Sequence, residues 1–107
     1  LIKEDFENLF SNGIDAILTP TAPTAAFPLG KKNQISPVEM YLNDIFTVPT
    51  NLAGLPAISV PSGLDSNNLP LGLQLIGRPW EEGSILNLAH VIEESLGPKQ
   101  KLKKWWV

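Results

Sequence analysis

A chain of 107 residues is the size of one domain, and at that length folding buries roughly 65% of the extended-chain surface, enough for one modest core. Eight basic residues against eleven acidic ones leave a net charge of -3, too little to steer the chain globally toward nucleic acid or an acidic membrane. With no cysteine there is no disulfide and no thiolate metal site, and no apolar run approaches the length of a membrane span.

In chain order, Ile2, Phe6, Leu9 and Phe10 recur at helical spacing, with Lys3, Glu4, Asp5 and Glu7 on the other face and Asn12-Gly13 as a left-handed stop. Leu1 leads straight into this helix with no initiator Met, which reads as a piece of a longer protein. Asp15-Ala-Ile-Leu-Thr-Pro then forms an apolar run too short for a helix, a buried strand closed by Pro20. Helix followed by strand predicts an α/β layer. From Pro20 to Ile35, three prolines, Gly30 and Lys31-Lys32-Asn33-Gln34 predict a surface loop.

Ser36-Pro37-Val38-Glu39 is a helix start: Ser36 and Glu39 can form a reciprocal capping box, and Pro37 occupies the first position, where its missing N–H costs nothing. This helix is expected to reach about Val48 and stop before Pro49. Val38, Leu42 and Ile45 cluster on one side, with Asp44 beside apolar neighbours. Asn51 reads as a turn former in Asn-Leu-Ala-Gly, or as pocket lining.

Ala57-Ile-Ser-Val is a second strand bounded by Pro56 and Pro61, Ser62 to Asn68 a polar turn, and Leu71 to Gly77 a third strand. Together they predict an antiparallel hairpin. Leu71, Leu73 and Leu75 share one face, and Gly72 and Gln74 the other, where bare Gly72 lets something bulky approach. Glu81 to Leu96 is a final amphipathic helix with Ile85, Leu88, Ala89, Ile92 and Leu96 inward, stopped by Gly97-Pro98. The basic tail ends in Trp105-Trp106, read as a chain end packing back on the protein, with RNA or partner contact as the alternative.

Little of this is catalytic by itself. His90 falls on the outward side of its helix, without Cys, Asp or a second His at ligand spacing. Ser59 and Ser62 lack both a nucleophile elbow and an evident base, so they read as strand and turn hydroxyls. Gly54, Gly63, Gly72 and Gly77 do not follow phosphate-loop spacing.

The order of Asp15-Ala-Ile-Leu-Thr-Pro-Thr-Ala-Pro-Thr, Met40-Tyr41-Leu42-Asn43-Asp44, Asn51 to Pro61 and Leu69 to Pro79 resembles the C-terminal part of amidase signature enzymes. Within that family it is most similar to the glutamine-hydrolysing subunits of glutamyl-tRNA(Gln) amidotransferases. The resemblance implies an α/β fold, a C-terminal segment (residues 1–107) of one amidase domain built on a mixed β-sheet flanked by helices. It implies amide hydrolysis by a Ser-cisSer-Lys triad upstream, none of whose members can be placed here, so the chain alone is expected to be inactive. In the family an aspartate in a Met-Tyr-x-x-Asp context helps bind glutamine, which gives Asp44, and with it Tyr41, a substrate-binding role. A carboxylate gripping an ammonium gains charge-assisted hydrogen bonds and separates an amino-acid amide from a neutral one. On the helix wheel alone, Asp44 is a solvated acid. Relatives often carry Cys at position 62; Ser62 departs from that and argues against a nucleophile there.

The implied partners are glutamine, the B and C subunits of the amidotransferase, and Glu-tRNA(Gln) through the complex, with no membrane. No cofactor is expected in this chain, and ATP and Mg²⁺ belong to the partner subunit. The implied location is cytoplasmic, or alternatively an organelle matrix. The runner-up readings are another amidase signature hydrolase, acting on aryl or fatty amides, and a non-catalytic structural or interaction module.

Overall fold

The computed structural model describes residues 1–30 and 35–97; Lys31 to Gln34 and the Trp105-Trp106 tail lie outside the described residues. Its elements are α1 (Ile2–Ser11), β1 (Ala16–Pro20), α2 (Pro37–Leu42), α3 (Val48–Ala53), β2 (Ala57–Leu64), β3 (Pro70–Gly77) and α4 (Glu82–Ser95). The strands make an antiparallel sheet in the order β1-β3-β2, the last strand in the chain taking the centre. Leu18, Leu75 and Ile58 fall in one transverse row, and Thr19, Gln74 and Ser59 in the next. Because strand side chains alternate, these two rows face opposite sides of the sheet.

The first side carries the core. Val60, Leu75, Ile85 and Ala89 are buried together, with Ile58, Leu73 and Ile92 packed around them, so α4 lies across β2 and β3. Gly77 makes this approach possible: a Cβ there would stand 2.4 Å from Ile85 Cγ1. The inward face expected for α4 is confirmed at Ile85 and Ala89, but Leu88 and Leu96 are exposed, because α4 meets the sheet along a narrow stripe. α1 packs against α3 with Phe10 buried, and the Arg78 guanidinium reaches across from the end of β3. Its Nε and Nη2 donate to the Ile14 carbonyl at 3.2 and 3.0 Å, and Nη2 also donates to the Phe10 carbonyl at 3.2 Å. Asp15 completes the tie at 3.6 Å.

The capping box forms as expected, Glu39 N–H donating to Ser36 Oγ at 3.1 Å and Ser36 N–H to the Glu39 carboxylate at 3.0 Å. The helix it starts is shorter than its pattern predicts. α2 ends at Leu42, residues 43–47 form successive turns, and a second helix begins at Val48. Pro49 opens that helix instead of ending the previous one, because a proline is tolerated in the first turn, where no N–H is needed. Val38, Leu42 and Ile45 are all exposed, since α2 buries no residue against the sheet.

β2 also differs. It continues through Pro61 to Leu64, with Ser62 the extra residue of a bulge between Pro61 and Gly63. A bulge on a strand with one unpaired side accommodates both the proline and the positive φ of Gly63. The reversal itself needs only Asp65 to Leu69. Asp65 Oδ1 accepts from Asn67 N–H at 2.8 Å and Leu69 N–H at 2.9 Å, and Asn68 takes the left-handed conformation.

Candidate functional site

The sheet face opposite α4 is polar along a line that crosses all three strands. Gly72 of β3 carries no side chain, and over it Thr21 Oγ1 and Ser59 Oγ meet at 2.6 Å. A Cβ on Gly72 would sit 2.7 Å from the Ser59 hydroxyl oxygen and 2.8 Å from that of Thr21. The bulky approach that bare Gly72 allows is therefore this hydroxyl pair. Beside it Gln74, only 5% exposed, donates from Nε2 to Thr19 Oγ1 at 3.0 Å and to the Phe46 carbonyl at 2.8 Å.

Gly72 and the Thr21–Ser59 hydroxyl pair form the floor of an open cleft of about 760 Å³, with Gln74 buried beside it. The Thr21 to Phe27 loop makes one wall, Asn43 and Asp44 a second, and the bulged end of β2 with the start of β3 a third. Its lining is mostly apolar, with the two hydroxyls, Thr24, Ser62, Asn43 and Asp44 as the polar points. Small-molecule sites in general combine an apolar wall with a few placed polar groups.

Asp44 thus stands on the cleft, in the turns between α2 and α3. Its carbonyl accepts from the amides of Thr47 and Val48 at 3.1 and 3.0 Å, and from Thr47 Oγ1 at 3.3 Å. Tyr41 is not among the cleft residues and is 67% exposed on α2. Asn51 lies in α3, its Nδ2 donating to the Thr47 carbonyl at 2.9 Å, so it braces its own helix and does not line the cleft. Ser59 is held by a hydroxyl and, among the described residues, has no hydrogen-bonded base, and His90 is exposed on α4. Among the described residues no three His, Cys, Asp or Glu side chains converge on a point where a metal would sit, and no helix is long and apolar enough to cross a membrane.

Sequence reasoning does not single out Thr21, Ser59 or Asn43 as cleft residues. The signal is partial: the period-2 alternation places Gln74 opposite the leucines and next to Gly72, but it carries no information on which loop hydroxyl arrives above.

Residues 1–86 match the family model for Amidase. The chain belongs to the amidase family. It is 63% identical over 106 residues to the A subunit of glutamyl-tRNA(Gln) amidotransferase from Roseobacter denitrificans, and 62% identical to that of Ruegeria pomeroyi. Both alignments take in 99% of the chain and 21% of the relative, so the chain spans about a fifth of the length of these curated relatives. The amidase fold is equally clear in the backbone. The crystal structure of the corresponding A subunit from Thermotoga maritima superposes with a TM-score of 0.78 at 50% identity, over 86% of this chain and 20% of that one. A 6-aminohexanoate cyclic dimer hydrolase gives the same TM-score at 27% identity, over 89% of this chain and 22% of its own. In the described residues this amidase-family chain has helices packed on one antiparallel sheet.

Proposed function

We propose that this chain is the C-terminal part of the glutamine-hydrolysing subunit of a glutamyl-tRNA(Gln) amidotransferase, and that its cleft forms one side of the glutamine pocket. Two things support the reading: identity above 60% to the A subunits of such enzymes along nearly the whole chain, and the presence of an acidic residue, Asp44 of the Met-Tyr-x-x-Asp motif, among those that line the cleft. The observation that carries it is the second, because a cleft with an apolar wall and one anionic edge suits a small amide that also bears an ammonium.

In this reading the Asp44 carboxylate accepts hydrogen bonds from the glutamine ammonium, and the Thr21–Ser59 floor sets the depth of the pocket. Tyr41, outside the cleft, would act only through the helix it shares with the start of the turns. The nucleophile and its lysine belong to the part of the protein upstream. Amide cleavage there releases ammonia, which the B subunit uses to amidate Glu-tRNA(Gln) at the expense of ATP with Mg²⁺, and the C subunit bridges the two. No residue of this chain is assigned to ATP, Mg²⁺ or tRNA. The complex is placed in the cytoplasm, with an organelle matrix as the alternative. A plain amide hydrolase is the second reading, favoured by the equal TM-score of the 6-aminohexanoate cyclic dimer hydrolase.

Asp44→Asn in the full-length protein tests this. The change keeps the shape and removes the charge, which costs about 1.5–3 kcal/mol for a hydrogen bond to a charged group. That is about 10-fold to 150-fold in kcat/KM for glutamine. Amidation of Glu-tRNA(Gln) supplied with free ammonia is expected to survive, because that route bypasses the pocket. An equal fall in both reactions, or a change in neither, would remove Asp44 from substrate recognition.

A further inference from the structure

Gln74 is out of keeping with its place. It sits at the centre of the middle strand, among Leu73, Leu75 and Ile76, and is almost wholly buried. A carboxamide taken out of water there is unfavourable unless its hydrogen bonds are replaced, so a residue of this kind in a strand interior is held for what it binds. What it binds is specific. Nε2 lies 3.0 Å from Thr19 Oγ1 on the neighbouring strand and 2.8 Å from the carbonyl of Phe46, two residues beyond Asp44.

The orientation of the amide is fixed by its surroundings. Thr19 Oγ1 donates its own proton to the Pro20 carbonyl at 3.0 Å, so toward Gln74 it presents a lone pair. Phe46 presents a carbonyl, which Thr50 Oγ1 also approaches, more distantly, at 3.5 Å. Two acceptors thus converge on one NH₂ group, and a carboxamide oxygen at that end would face both. The linker of residues 43–47 contains no helix of its own, and its Asp44 carbonyl is occupied within the turn by Thr47 and Val48. The grip from the sheet falls on the carbonyl of Phe46.

We infer that Gln74 is a positioning residue: its amide clamps the Phe46 carbonyl to the sheet and thereby fixes where the Asp44 carboxylate stands in the cleft. Thr19 is the back-stop that sets the direction of the clamp. This role rests on Asp44 being a residue of the glutamine pocket. It concerns ligand placement, since Gln74 is not itself among the cleft-lining residues.

The test uses the full-length protein in its complex, with Gln74→Met, which keeps the length and apolar bulk but loses both donors, and Gln74→Glu, which sets an acceptor against the Phe46 carbonyl. For Gln74→Met, KM for glutamine is expected to rise about 5- to 30-fold, the effect of one lost, well-aligned buried bond, with kcat changing less and ammonia-driven amidation retained. Gln74→Glu is expected to be the more severe. In an Asp44→Asn background Gln74→Met should add little, because the group it positions no longer reads the ligand. Hydrogen exchange of the Thr47 and Val48 amides should accelerate in both Gln74 variants. Unchanged exchange refutes the clamp. Faster exchange with an unchanged KM, full additivity with Asp44→Asn, or an equal loss of the ammonia-driven reaction refutes the positioning role. If Asp44→Asn alone leaves glutamine use intact, the pocket reading fails and the positioning role with it, whereas the exchange measurement still decides whether Gln74 holds the linker.

Discussion

Gly72→Ala probes the cleft floor most directly. The backbone of Gly72 needs no positive φ, so the whole effect is steric. The added methyl would stand 2.7 Å from Ser59 Oγ, 2.8 Å from Thr21 Oγ1 and 3.2 Å from Thr21 Cβ. To regain ordinary contact near 3.4 Å, each hydroxyl has to retreat by about 0.6–0.7 Å, which parts a pair now at 2.6 Å. Overpacking of this kind costs about 1–3 kcal/mol, and the lost hydroxyl bond about 0.5–1.5 kcal/mol more. Alanine in a strand offsets about 0.5–1 kcal/mol of this. The net expectation is about 1–3 kcal/mol of destabilisation, read as a shift in the urea midpoint of the full-length protein, with a higher KM for glutamine. Removing the oxygens first should relieve most of it. In a Thr21→Ala, Ser59→Ala background the same Gly72→Ala change should cost less than half as much, the remainder coming from the tight contact to Thr21 Cβ. A Gly72→Ala protein as stable as the parent, or an equal cost in both backgrounds, would refute the reasoning.

Two further changes test the frame around the cleft. Gly77→Ala drives a methyl to 2.4 and 2.5 Å from Ile85, a core residue, so α4 must shift off the sheet; about 1–3 kcal/mol should be lost in denaturant unfolding, and less when Ile85→Ala has already emptied the space. Arg78→Lys keeps the charge but not the fork that holds the Phe10 and Ile14 carbonyls, so about 1–2 kcal/mol of stability should be lost, with earlier proteolytic cutting between α1 and β1 as the visible sign.

What the sequence makes legible is what local patterns control. The Ser36-Glu39 capping box, the β2–β3 hairpin and the buried stripe of Ile85 and Ala89 depend on neighbours a few residues apart, and all are present. Pro49 misleads because a proline both ends one helix and begins another, and only the packing of the residues beyond it decides which. Pro61 misleads as a strand end because a bulge excuses it. The cleft is half legible: Asp44, singled out through the family motif, is among its lining residues, and the Gly72–Gln74 face is evident from alternation. The partners of that face are not. Thr21 meets Ser59 across 38 residues, and Gln74 meets Phe46 across 28, pairings set by the order β1-β3-β2.

That topology separates the fate of the cleft from the fate of the secondary structure. The β2–β3 hairpin closes over the short turn Asp65 to Leu69 and keeps its own ladder, but by itself it encloses nothing. The hydroxyl bridge, the Gln74 amide bonds and the Arg78 tie all span long stretches of chain, and releasing them frees loops whose closure cost entropy. A variant weakened in β1 or in the turns around Asp44 can therefore lose its site while every helix and hairpin persists. Circular dichroism would score such a protein as native, and only a readout tied to ligand or to individual amides would see the loss.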